Sequence, residues 1–107
     1  MDGLEVTHSA HDETDHAFKV VAHGEIDVAT VAVLAAQFDE LRERDAMLIV
    51  LDASGVGFVD SSGLRCIIAA SHEIEGRGGR FLIEGMSPAV QGVLQATGLL
   101  EKYRSGE

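Results

Sequence analysis

The chain has 107 residues, enough for one hydrophobic core and little more. Its 46% hydrophobic content and single proline speak against a disordered chain, and a formal net charge of −10 argues against nucleic acid or an anionic membrane surface as partner. Residues 1–60 hold 3 basic and 13 acidic side chains against 5 of each in residues 61–107, so a basic protein surface is the more natural complement. Cys66 is the only cysteine, which excludes an internal disulfide framework and suits a reducing, cytoplasmic setting. No apolar stretch approaches the roughly 20 residues a bilayer-spanning helix needs, so no direct membrane insertion is expected. The start, Met1-Asp2-Gly3-Leu4-Glu5, lacks the charged region and apolar core of a signal peptide.

Leu4-Glu5-Val6-Thr7 alternates as a short edge strand does, and a polar turn over His11 to His16 leads into a second strand from Ala17 to Ala22, the two forming a hairpin. Gly24-Glu25-Ile26-Asp27 reads as a tight connection, with Asp27 or Thr30 placed to cap the next helix. Val31, Leu34, Ala35, Phe38 and Leu41 then make one apolar helical face, opposed by Asp39, Glu40, Arg42 and Glu43. Met47 to Leu51 is apolar throughout, as a central strand covered on both faces would be, and Ser54-Gly55-Val56-Gly57 reads as loop.

A helix starting near Ser61, with Leu64, Ile67 and Ile68 at helical spacing, should run to about Glu75 before Gly76-Arg77-Gly78-Gly79 stops it. Phe81-Leu82-Ile83 is the next strand. Ser87-Pro88 starts a last helix with buried Val90, Val93 and Leu94 and a C-terminal Gly98; Leu99 to Tyr103 adds a short strand or trails off. The order β-β-α-β-α-β-α predicts an α/β fold, a mixed four- to five-stranded sheet packed against helices.

The most informative run is Val56-Gly57-Phe58-Val59-Asp60-Ser61-Ser62-Gly63-Leu64, where a strand hands two hydroxyls to a helix start. Asp60, Ser61 or Ser62 is the N-cap, and unsatisfied N–H groups with the positive helix end would compensate a phosphate added there.

With Asp60-Ser61-Ser62-Gly63-Leu64 in place, the chain resembles the anti-sigma factor antagonist family, whose fold is the STAS domain. Gly24-Glu25-Ile26-Asp27, Leu51-Asp52-Ala53-Ser54-Gly55-Val56, Ser87-Pro88-Ala89-Val90 and Thr97-Gly98-Leu99 match in family order, over roughly residues 4 to 103 of a single domain. The resemblance implies that Ser61 is phosphorylated by an anti-sigma factor serine kinase. Unphosphorylated protein would bind that kinase and release the sigma factor, and a PP2C-type, metal-dependent phosphatase would reverse the mark. A phosphate adds roughly −1.5 to −2 charges, which beside Asp27 and Asp60 should weaken docking. The partner-binding residues implied are Asp27, Asp60, Ser61, Ser62, Gly63 and Leu64, with the chain a monomer or weak dimer. A scaffold subunit of a signalling assembly, or an accessory subunit of a lipid transporter docking on its ATPase, are the alternatives within the same fold.

Each of these residues also has a plainer role. Ser62 reads as a cap or a loop support; Asp60 caps the helix, orients the serine hydroxyl or is read by the kinase; Asp27 caps the first helix. Gly63 admits a partner's close approach or relaxes the helix start, and Leu64 and Val59 read as core or pocket edge. Arg65 is an exposed helix arginine one turn from Ser61, within reach of an added phosphate. Cys66 reads as a small hydrophobe.

His8, His11 and His16, interleaved with Asp12 and Asp15, lack a regular metal-ligand spacing, and no cofactor or metal is expected. The Ser61 segment lacks the G-x-S-x-G elbow of a hydrolase, and the glycines at 76–79 follow a helix where a phosphate loop precedes one. Asp52 ends a central strand as a phospho-acceptor does, yet Leu4 to His8 offers no acidic cluster for magnesium. The chain therefore reads as a binding switch, with no catalytic residue of its own.

Overall fold

Residues 3–11 and 15–104 are described by a computed structural model, in which the chain runs β1 (Leu4–Ala10), β2 (Ala17–Ile26), α1 (Val31–Glu43), β3 (Leu48–Val59), α2 (Ser61–Gly76), β4 (Arg80–Glu84), α3 (Pro88–Ala96) and α4 (Leu100–Tyr103). The sheet has four strands in the order β1-β2-β3-β4, antiparallel between β1 and β2 and parallel thereafter. Both crossovers step the same way across the sheet, and right-handed connection then puts α1 and α2 on one face, running side by side in the same direction. Their N-termini consequently meet at the carboxyl ends of β2 and β3.

Period-2 alternation sets which face is dry. Phe18, Val20, Ala22 and Ile26 of β2 are buried while Val21, His23 and Glu25 are exposed, as are Glu5, Thr7 and Ser9 of β1. Leu34, Phe38 and Leu41 of α1, Ile67 and Ile74 of α2, Val90 and Leu94 of α3 and Tyr103 of α4 all join one core with the buried strand positions. At its centre Phe81 meets Phe38 and Tyr103 edge to face, with ring centroids 5.7 and 5.8 Å apart. No helix among the described residues is long and apolar enough to cross a membrane.

Four expectations are corrected. Ser54 to Gly57 is not loop: β3 continues to Val59, paired with β2 alone after β4 has ended at the level of Asp52. A Cβ at Gly55 would lie 2.7 Å from the exposed His23 ring, which would have to turn aside. Gly24 to Ile26 likewise belongs to β2, across a register shift, rather than to a tight turn. Leu99 to Tyr103 forms neither a strand nor a tail but a four-residue helix that buries Tyr103 completely, after which Arg104 bridges to Ile83. The fourth concerns β3, whose second face lies open: Val50 stays dry beneath the Lys19–Glu84 ion pair (2.9 Å), which passes over β3 from β2 to β4.

The helix ends follow local chemistry. α2 and α3 close with Gly78 (φ 88°) and Gly98 (φ 76°) in left-handed geometry, the next residue donating back to Ile74 and Leu94 (2.8 Å each). α1 closes the same way, with Asp45 (φ 59°) where glycine is usual. His8 packs edge-on against Phe18 and hydrogen-bonds Gln37, and His16 Nδ1 meets the Asp45 carbonyl at 3.1 Å, so both serve the fold. Asp12, named with the histidines, lies outside the described residues.

Candidate functional site

Ile26 and Val59 are register partners at the ends of β2 and β3, so the residues after them, Asp27 and Asp60, emerge next to each other. The Asp60 N–H donates to the Ile26 carbonyl (3.1 Å) and fastens the two exits together. This is the carboxyl end of a parallel strand pair, the edge at which open α/β sheets place their functional groups.

Asp60 is the N-cap of α2, with extended backbone (φ −105°, ψ −171°) and a carboxylate accepting from the N–H groups of Ser62 (2.9 Å) and Gly63 (3.1 Å). The expectation that these first-turn donors stand free for a phosphate is thereby corrected: Asp60 already occupies them. A phosphate on Ser61 would add its charge beside a carboxylate, with less of the backbone left to compensate it.

Ser61 itself is exposed, and its hydroxyl has no hydrogen-bond partner among the described residues. Ser62 is half-buried and contributes its backbone N–H to the cap. Gly63 is buried: a Cβ would sit 2.6 Å from Ile26 Cγ2 and 2.8 Å from Val59 Cγ2. It therefore supports the site from beneath by letting α2 press onto the strand ends, and offers no surface for close approach. Leu64 is partly buried against the core.

Asp27 is locked by its own loop. Its carboxylate accepts from Ala29 N–H (2.9 Å) and Thr30 N–H (3.1 Å), and its carbonyl from Val31 N–H (2.8 Å). Thr30 holds the N-cap position but caps no helical N–H; its hydroxyl donates to the Glu25 carbonyl (2.7 Å). The two carboxylates thus stand in fixed positions on adjacent loops, and docking would not have to order them.

Sequence reasoning missed the apolar part of this edge. Val28 follows Asp27 and is 77% exposed, and Phe58, two residues before Asp60, is 49% exposed. The available signal was an aliphatic residue inside a polar turn and an aromatic one out of phase with Val59. Cys66, a turn further along α2, is half-buried; burial first and Asp39 second push its thiol up to about 11, so it is no nucleophile at neutral pH.

A family model described as Mlab, STAS domain, matches residues 9–102. The chain belongs to the STAS domain family. This STAS domain is 33% identical over 79 residues to an anti-sigma F factor antagonist of Paenibacillus polymyxa, covering 73% of this chain and 68% of that one. It is similar to an anti-sigma factor antagonist from Mycobacterium paratuberculosis, with TM-score 0.77 and 26% identity over 92% of this chain and 83% of the other. The antagonist SpoIIAA in its unphosphorylated form shares the fold, with TM-score 0.77 and 23% identity over 92% and 86% of the two chains. The four-stranded mixed sheet with four helices is that of these relatives.

Proposed function

We propose that this STAS domain is an anti-sigma factor antagonist that docks through the edge formed by Asp27, Val28, Phe58, Asp60 and Ser61, and that phosphorylation of Ser61 abolishes docking. One observation carries the reading: the Ser61 hydroxyl is exposed and unengaged in the first turn of α2, where two aligned strand exits present fixed carboxylates. Relatives named as anti-sigma factor antagonists support the reading. The partner is an anti-sigma factor serine kinase with a basic, partly apolar face: Val28 and Phe58 supply area to bury, Asp27 and Asp60 the charge pattern. A PP2C-type phosphatase would remove the phosphate, and the cycle would run in the cytoplasm on a monomer or weak dimer. Ser62 and Leu64 shape the turn, and Gly63 holds it on the strands.

Incubation with the cognate kinase and ATP, followed by peptide mass spectrometry, should place a single phosphate on Ser61; an active kinase that leaves Ser61 unmodified refutes the mechanism. Calorimetry should find Ser61→Ala bound to the kinase as tightly as the unphosphorylated protein and Ser61→Asp weakened at least tenfold, as expected when a third carboxylate beside Asp27 and Asp60 must be dehydrated in the interface. Equal affinities for the two variants would remove the charge basis of the switch.

A further inference from the structure

Between α1 and α2 lies a groove of about 400 Å3, within the size range of small-molecule pockets. The helices run side by side, but Ala35 on α1 and Ala69 and Ala70 on α2 are too small to fill the space between them. Its apolar wall is completed by Phe38, Ile49 and Ile74, and by Cys66, which burial keeps as a neutral thiol.

The charges on its rim are distributed against the character of the whole molecule. A chain of net charge −10 places three arginines, Arg42, Arg65 and Arg77, against two acids, Asp39 and Glu73, around this groove. Both acids are committed to one cation, Arg42, at 3.2 and 3.8 Å. Arg77 is turned to Asp45 (3.8 Å) and the Arg42 carbonyl (3.4 Å). Arg65 has no ion pair or hydrogen bond among the described residues. It stands at the end of the groove marked by Ser62, and the apolar wall continues from it to Ile74, about 14 Å along the α2 axis.

An apolar trough with one uncommitted guanidinium at its end matches an amphipathic anion. We propose that the α1–α2 groove binds a linear monocarboxylate of medium chain length, its alkyl chain laid along Phe38, Ala70 and Ile74 and its carboxylate paired with Arg65. Guanidinium and carboxylate form two parallel hydrogen bonds, which sets the orientation of the chain. The groove begins at Ser62, beside the Ser61 edge, and Arg65 is within reach of a phosphate on Ser61, so the site is that of the unphosphorylated chain; it needs no protein partner.

Calorimetric titration of the full chain with sodium decanoate, below the concentration at which it forms micelles, tests this directly. Saturable one-to-one binding is expected, weakened about tenfold in Arg65→Gln and to a similar degree when decanol replaces decanoate, since each removes one charge-assisted pair. Ala70→Phe, which fills the trough, should abolish binding. Because Cys66 lines the groove, bound decanoate should also slow its alkylation by iodoacetamide at alkaline pH. Absence of binding, binding that does not saturate, or equal affinity for decanoate and decanol with Arg65→Gln unchanged would each overturn the proposal. Arg65 is exposed, so its variant reads out even if Ala70→Phe disturbs the fold.

Discussion

Replacing Gly63 by alanine isolates the packing that seats α2 on the strand ends. In an ordinary helix position this change is favourable by about 1 kcal/mol, because alanine loses less backbone freedom on folding. At Gly63 the new methyl would lie 2.6 Å from Ile26 Cγ2 and 2.8 Å from Val59 Cγ2, well inside van der Waals contact. Both neighbours are buried β-branched residues anchored in paired strands, so neither can swing aside as a long flexible side chain would. Overpacking of this kind costs about 1–3 kcal/mol, which leaves a net loss of up to about 2 kcal/mol.

Gly92 supplies the internal reference. It lies in the middle of α3, is exposed, and a Cβ there meets nothing within 4 Å, so Gly92→Ala should stabilise by about 0.5–1 kcal/mol. The same chemical change therefore carries opposite signs at two sites, and the difference between the variants measures the steric cost with helix propensity cancelled. Urea unfolding with a shared slope gives both values, and a shift of about 4 °C in Tm per kcal/mol is the thermal counterpart. If Gly63→Ala proves as stabilising as Gly92→Ala, α2 does not press on Ile26 and Val59 as described.

Three further outcomes are expected. Asp60→Ala should destabilise by about 1 kcal/mol in chemical denaturation while Asp60→Asn, which keeps an accepting oxygen for the Ser62 and Gly63 N–H groups, should lose only a few tenths; equal losses would contradict the capping role. Asp45→Gly should stabilise by about 0.5–1 kcal/mol, since glycine adopts the left-handed turn at φ 59° without the Cβ penalty, and a lower Tm would refute this. The Cys66 thiol, ordinarily near 9.0 and held at about 11 by burial, keeps in the folded state a proton that the unfolded chain gives up first. Stability tied to this thiol is thus full below pH 9.0 and lost as pH rises towards 11, so Cys66→Ala should flatten the alkaline fall in Tm, and folded-state alkylation rates should reach half-maximum near pH 11.

Local chemistry was enough to foresee much of this protein. The apolar face of α1, the Ser87-Pro88 start and Gly98 stop of α3, and a capped start of α2 within Asp60-Ser61-Ser62 were legible because each is decided within one or two helical turns. The second half of β3 was not legible. Ser54 to Gly57 has loop composition, and it becomes strand only because β2 supplies backbone partners as far as Val59. α4 was hidden for a related reason: four residues carry no periodicity, and Tyr103 is drawn inward by Phe81, a residue 22 positions away.

At the site, the residue types were set by the sequence and their roles by the fold. That Ser61 stands at a helix start was plain from Asp60-Ser61-Ser62, while the choice of Asp60 as the cap came from the fold. That its hydroxyl is exposed, that Asp60 has claimed the first-turn N–H groups, and that Gly63 faces inward emerged only when Ile26 and Val59 were brought into register. The groove between α1 and α2 is of the same kind, since Ala35, Ala70 and Arg65 become one surface only through parallel packing of two helices. Chain-local forces choose the element and its ends, and the arrangement of distant elements decides which polar atoms remain free.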